Sequence, residues 1–170
     1  MSLEHDLNSS NTFYMETERA LIHKKPTPIQ VVTVDYPARN AAKITEAYYK
    51  VPSTTDYNGI YRGRAIDFEA KETKSKTSFP FKSIHPHQIT HLKRVLKHKG
   101  IGFFIIRFTS YDETYLVDAD ILITLYENGN KKSISYTSVK EVGTLIQQGL
   151  TPRLRYLDNV DDLYFKEEER

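Results

Sequence analysis

The pair Arg62-Gly63 constrains the fold of this chain more than any other two residues. It separates two runs of strand-forming sequence, DYNGIY and RAIDFEAK, and Gly63 supplies the positive φ of a two-residue hairpin turn. With those two residues at the turn, Tyr61 faces Arg64, Asp56 faces Glu69 and Thr54 faces Lys71. The period-two alternation of strands then collects Thr54, Asp56, Glu69 and Lys71 on one face, with Asp67 beside them. Two carboxylates placed directly opposite repel each other. A divalent cation between them reverses the sign, because Mg²⁺ binds hard oxygen ligands gathered at one point. Lys71 stands where it can meet a phosphate oxygen or polarise a water. The alternative is an ordinary ion-paired strand pair in which Lys71 neutralises both acids. A second Glu-x-Lys, Glu72-Thr73-Lys74, falls on the opposite face and runs into a polar loop, which makes the first copy the stronger candidate.

Around this hairpin the chain reads as one mixed α/β domain, residues 1–170, with a single sheet flanked by helices. A helix is expected over 3–19 and strands over 29–36 and 44–51, the first broken at Pro37. Residues 24–51 form a two-stranded projection carrying Lys24, Lys25, Arg39, Lys43 and Lys50, and a ribbon with so little core of its own calls for a partner surface. Strands at 57–61 and 64–72 lead into a polar loop, 73–78. Pro86 opens a helix that runs to residue 98, with Gly100 past its end. The apolar run at 101–109 reads as a central strand, followed by another at 114–117. Residues 119–127 fit a helix or a strand. Ser138 with Glu141 makes a capping box that predicts a helix through VKEVGTLIQQ, and the charged tail 166–170 is expected to fray.

Net charge is only +2, but it is unevenly distributed. Residues 1–18 carry four acids and no Lys or Arg, residues 19–99 carry sixteen Lys/Arg against six acids, and the remainder is acidic. The middle of the chain can therefore track a polyanion. Lys74, Lys76 and Lys82 on the polar loop and Lys93, Arg94, Lys97 and Lys99 on the following helix are candidate phosphate contacts. There is no cysteine, which excludes a thiol nucleophile and a cysteine-bound zinc. No apolar run approaches the ~20 residues of a membrane helix, and MSLEHDLNSS is not a signal peptide. A cytoplasmic protein without membrane contact is expected.

His87 and His91 have the spacing of two zinc ligands on a helix, but Gln88 stands where a metalloprotease would place its glutamate, and no third ligand is evident. Gln88 is the more informative residue. It shares a helix face with Leu92 and Val95, so it points toward the sheet, where a buried amide needs a partner. That partner is a backbone group, a metal-bound water or a phosphate.

The pattern Asp56…Glu69-Ala70-Lys71 on strand–turn–strand, followed by a helix bearing Gln88, resembles the PD-(D/E)XK restriction-endonuclease-like nucleases. Within that superfamily, IHKKPTP at 22–28, TTDYNG at 54–59, IDFEAKETK at 66–74 and His87-Gln88 are similar to the RecU Holliday junction resolvases, over about residues 3–164. The resemblance implies a restriction-endonuclease-like core with a protruding stalk, matched here by residues 24–51. It also implies a homodimer acting with Mg²⁺ or Mn²⁺ on four-way junction DNA, in recombination and repair, alongside the RecA recombinase at the cytoplasmic nucleoid. By position, Thr54, Asp56, Glu69 and Gln88 resemble the family's metal-site residues and Lys71 its transition-state stabiliser. Glu4 corresponds to a first-helix acid near the metal in some relatives. Thr55 stands where the superfamily pattern has proline.

Three readings follow. The first is a junction-resolving endodeoxyribonuclease with Asp56, Glu69 and Lys71 as its catalytic residues and Lys24, Lys25, Arg39, Lys74 and Lys76 on DNA. The second is a restriction-like nuclease cutting plain duplex. The third is a non-catalytic module that binds branched DNA or a recombinase, in which the carboxylates are merely ion-paired.

Overall fold

The computed structural model describes residues 1–166. The chain opens with α1 (Leu3–Glu16) and a short strand, β1 (Leu21–Lys24). Two longer strands follow, β2 (Ile29–Asp35) and β3 (Lys43–Tyr49), and then the hairpin β4 (Tyr57–Tyr61) and β5 (Arg64–Thr73). After β6 (Ser78–Pro80) and a single 3₁₀ turn come α2 (Pro86–Lys97), β7 (Ile101–Phe108), β8 (Glu113–Asp118) and α3 (Ala119–Glu127). The chain continues through β9 (Ser133–Ser135), α4 (Tyr136–Val142), β10 (Thr144–Leu145) and α5 (Tyr156–Tyr164).

Six strands form the main sheet in the order β1-β4-β5-β7-β8-β10, with β5 and β7 parallel and every other pair antiparallel. The mixed α/β architecture is the expected one. Arg62 and Gly63 take φ of 49° and 78°, and Tyr61 pairs with Arg64, as the turn chemistry requires. The edge strand β1 lies so close to β4 that a Cβ on Gly59 would sit 1.9 Å from the Leu21 carbonyl oxygen. Only glycine fits there.

Alternation divides the sheet into two packed faces. Ile66, Phe68, Phe103, Ile105 and Leu116 meet α1 and α5 through Leu3, Leu7, Tyr156, Leu157 and Val160. Phe104, Ile106, Phe108 and Val117 meet α2, α3 and α4 through Ile89, Leu92, Leu122, Ile123 and Val139. Because Phe68 pairs with Phe103 and Glu69 with Phe104, the odd-numbered residues of β5 lie on the α2 side. A buried ion pair, Asp6 to Arg107 at 2.8 Å, fastens α1 to β7.

The strands β2 and β3 pair with each other and not with the main sheet, and nearly all their residues are exposed. They lie within residues 24–51, where the sequence reading places its two-stranded projection. Lys24, however, ends the edge strand of the core, and Lys25 stands at the projection's root.

Elsewhere the structure corrects local expectations. Ser135, not Ser138, caps α4, accepting from the Ser138 N–H at 3.0 Å, and Gly143 ends that helix so that Thr144 and Leu145 join the sheet edge. Residues 119–127 are helical because the Asp118 side chain caps them. Four elements lie outside the sequence reading: β1, the strands β6 and β9 of the small second sheet, and α5. The frayed tail expected at 166–170 lies, past Lys166, outside the described residues.

Candidate active site

Asp56 immediately precedes β4, and its backbone N–H donates to Glu69 Oε2 at 3.1 Å across the hairpin. That bond places the two acidic residues opposite each other, as the turn predicts. Glu69 is fully buried in the middle of β5. Its second oxygen, Oε1, is also buried and makes no directed hydrogen bond, although the Lys71 ammonium approaches it to 2.9 Å. Burial pushes the Glu69 carboxyl up to about 7. Lys71 opposes the shift and the Asp56 charge adds to it.

Asp56, Glu69, Lys71 and Gln88 line one cleft of about 580 Å³. Helix α2 enters it through its first turn. Pro86 sets the start of that helix, and Gln88 Oε1 accepts from the His85 N–H at 2.9 Å. The backbone partner anticipated for Gln88 is therefore present, and a carbonyl oxygen retains a second lone pair for another contact. The cleft is also lined by Tyr49, Lys50 and Val51, at the end of the projection, and by Pro52.

Thr54 is placed differently. The β4–β5 ladder ends at Tyr57 opposite Phe68, so Thr54 lies outside it. It lines a neighbouring hollow of about 380 Å³ that shares Asp56 with the cleft. Glu4 and Glu72 fall on the other face, in a third hollow that also reaches Asp56. There Glu72 accepts from the Leu3 N–H at 3.0 Å, so it serves the start of α1, and Glu4 pairs with Lys24 at 2.6 Å. The sequence had assigned Glu72 to the opposite face on alternation alone.

The basic candidates occupy distinct positions. Arg39 is exposed in the turn between β2 and β3, and Lys74 and Lys76 are exposed on the loop after β5. Lys24 and Lys25 instead direct their ammonium groups to Glu4 and Asp67. Lys93 is paired with Glu127.

The arrangement fits a hard divalent cation. Two acidic residues line the cleft, one with a buried carboxylate oxygen lacking a directed bond, and Gln88 lines it too. Among the described residues no group of three or more His, Cys, Asp and Glu converges into a metal cage. Two carboxylates with neutral oxygens suit Mg²⁺, which keeps several waters and takes one or two protein carboxylates. The same finding gives no support to a zinc site at His87 and His91, because His91 bonds to Asp67 instead.

The family model of RecU, recombination protein U, matches residues 1–162. The chain belongs to the RecU family. The Holliday junction resolvase RecU of Oceanobacillus iheyensis is 57% identical over 168 residues, which cover 97% of this chain and 86% of that protein. The Holliday junction resolvase RecU of Bacillus cereus (strain AH820) is 54% identical over 168 residues, covering 97% and 84%. A solved structure of Hjc, a Holliday junction resolvase from Archaeoglobus fulgidus, aligns over 84% of this chain and 93% of that one. Its TM-score is 0.47 at 11% identity, a likeness too distant to speak to function.

Sequence reasoning missed the cleft wall made by Tyr49 and Lys50, and it offered His87 only as a zinc-spaced histidine, whereas His87 lines this cleft with its Nε2 buried and without a hydrogen bond. The pairing of His87 with Gln88 among the RecU-like blocks was the one available signal.

Proposed function

We propose that this RecU-family chain is a metal-dependent endodeoxyribonuclease that resolves four-way DNA junctions in homologous recombination and repair. The observation that carries this reading is the pairing of Asp56 with Glu69 across the hairpin, with Lys71 in the same cleft. The names of its relatives supply the substrate. Asp56 and Glu69 would hold Mg²⁺, or Mn²⁺ in its place, with Gln88 and Thr54 contributing directly or through water. The bound ion would lower the pKa of a water for in-line attack on a phosphodiester and offset the charge that develops on phosphate.

The remaining work falls to the protein. Glu69, buried and bonded to the Asp56 amide, fixes the position of one carboxylate oxygen while Oε1 stays available in the cleft. Lys71 exchanges its contact with Glu69 for the phosphate and stabilises its developing charge. The exposed projection with Arg39 at its tip would enter the branch point, where strands converge. A symmetric homodimer would present two such sites for two opposed cuts. Cooperation with the RecA recombinase belongs to the same proposal. No helix among the described residues is long and apolar enough to cross a membrane.

End-labelled junction and a duplex of matched sequence, incubated with Mg²⁺, Mn²⁺ or chelator, test this reading. Metal-dependent cutting of the junction in preference to duplex is expected. Equal cutting of both would favour a restriction-like nuclease, and no cutting with intact junction binding would favour a non-catalytic module.

A further inference from the structure

One pleat before Glu69 on β5, Asp67 is 7% exposed and gathers partners from three other segments. The Thr55 hydroxyl donates to Oδ1. The His91 ring N–H, from α2, donates to Oδ2 at 3.0 Å, and the Lys25 ammonium reaches the same oxygen at 3.4 Å. Lys25 also donates through Nζ to Thr55 Oγ1 at 3.3 Å, and its backbone N–H donates to the Asp56 carbonyl at 2.7 Å.

The position of these partners in the chain gives the cluster its meaning. Lys25 is the residue by which the chain leaves β1 toward the projection, and Thr55 is the residue by which it returns to β4. The projection has no ladder to the main sheet. Both of its ends therefore meet on one buried carboxylate, which also grips the helix carrying Gln88. Thr55 is covalently joined to Asp56, so a shift at the root passes directly to the candidate metal ligand.

We propose that Asp67 is a positioning residue that couples the root of the projection to the cleft, holding Asp56 and Gln88 in register with Glu69. It acts through Thr55, Lys25 and His91 and needs no contact with the metal or the DNA. A projection engaged at a branch point would then set the geometry of the cut through this carboxylate. The inference rests on the nuclease reading for its functional consequence, but its structural claim can be tested without catalysis.

Asp67→Asn is a sharp probe, because an amide still accepts from Thr55 at Oδ1 while turning an N–H₂ toward two donors. Lys25→Met keeps the stem and removes the charge, and Thr55→Val keeps the shape and removes the hydroxyl. These two carry the test should Asp67→Asn fail to fold. Amide hydrogen exchange in the metal-free, DNA-free protein is the first readout. In each variant the Asp56 and Lys25 amides should exchange at least about tenfold faster, as local opening without global unfolding does. Asp6→Asn, which loosens the opposite face of the sheet, should affect these amides only as much as it affects the rest of the core.

The second readout is single-turnover junction cleavage at saturating Mg²⁺. A rate loss on the order of tenfold to a hundredfold is expected from misplacement of the reacting groups. Junction binding by Asp67→Asn and Thr55→Val in Ca²⁺ should stay within about twofold, and the cleavage rate of the Asp67→Asn/Lys25→Met double variant should be no worse than that of the poorer single. Unchanged exchange at Asp56 and Lys25 overturns the proposal. So does faster exchange with a wild-type saturated rate, or a rate loss that only follows thermal stability as in Asp6→Asn. A wild-type protein that cuts no DNA refutes the nuclease reading, while the exchange data still decide whether Asp67 holds the root.

Discussion

The backbone N–H of Asp56 donates to Glu69 Oε2 at 3.1 Å, thirteen residues away in sequence and directly across the hairpin. This bond fixes one carboxylate by the amide of the other acidic residue. It leaves Glu69 Oε1 buried, with the Lys71 ammonium at 2.9 Å.

Metal affinity should therefore depend on pH through Glu69. Its carboxyl is raised from 4.5 to about 7, chiefly by burial. The folded protein thus binds an extra proton between those values, and the associated stabilisation is complete below pH 4.5 and lost as pH rises through 7. Metal binding must displace that proton, so affinity should climb between pH 5.5 and about pH 7 and then level off. Calorimetric Mn²⁺ titration across this range, with Glu69→Gln as the non-titrating control, checks the expectation. A flat pH profile in the wild type would contradict it.

Lys71→Ala should slow turnover far more than it weakens metal binding, by on the order of a hundredfold to a thousandfold. A cation that meets developing charge acts mainly in the transition state. Removing it also takes away the charge that opposes the Glu69 shift, so the pH dependence of metal affinity should move to higher pH. Recovery of the full rate with excess Mg²⁺ at pH 8 would show that Lys71 only organises the metal ligands.

Alternation predicts opposite outcomes for two neighbouring glutamates. Glu69→Gln should abolish cleavage, whereas Glu72→Gln should cut at close to the wild-type rate. Glu72 lies on the α1 face, and a glutamine there still accepts from the Leu3 N–H. Reversed outcomes would place the catalytic face on the wrong side of β5.

The projection should read branched DNA. Arg39→Ala at its tip should weaken junction binding more than duplex binding in Ca²⁺. Lys74→Ala/Lys76→Ala should weaken both alike and lower the salt slope by roughly one per lost contact. Lys24 and Lys25 are engaged at the root by Glu4 and Asp67, so their removal disturbs the root as well as any DNA contact they make. Equal losses for Arg39→Ala on both DNAs would leave the projection as general electrostatic support.

Stability away from the cleft has its own check. Asp6→Ala leaves the buried Arg107 guanidinium without its carboxylate and should cost about 3–5 kcal/mol in denaturant unfolding.

The hairpin and its two acids were legible because a glycine turn sets register locally and strand alternation sets the face. Gln88 was legible for a similar reason, since helix periodicity alone turns it toward the sheet. What escaped depends on distant partners. Strand β1 is four residues long with only Ile22 buried, and it exists because Gly59 lets β4 approach. Helix α5 has no side-chain cap at Arg155, and its apolar face forms only against residues such as Phe68 and Tyr14. The contact of Lys25 with Asp67 was not legible, because nothing nearby in sequence announces a partner 42 residues later.

The most direct test of the paired-carboxylate site compares wild type with Asp56→Asn on one labelled four-way junction, measuring binding in Ca²⁺ and single-turnover cleavage in Mg²⁺. Binding should be unchanged within about twofold, because phosphate contacts from Lys and Arg dominate affinity. Cleavage should fall by on the order of a thousandfold or more as the metal ligand is lost. Near wild-type cleavage by Asp56→Asn in Mg²⁺ would contradict the assignment of Asp56 and Glu69 as the metal-holding pair.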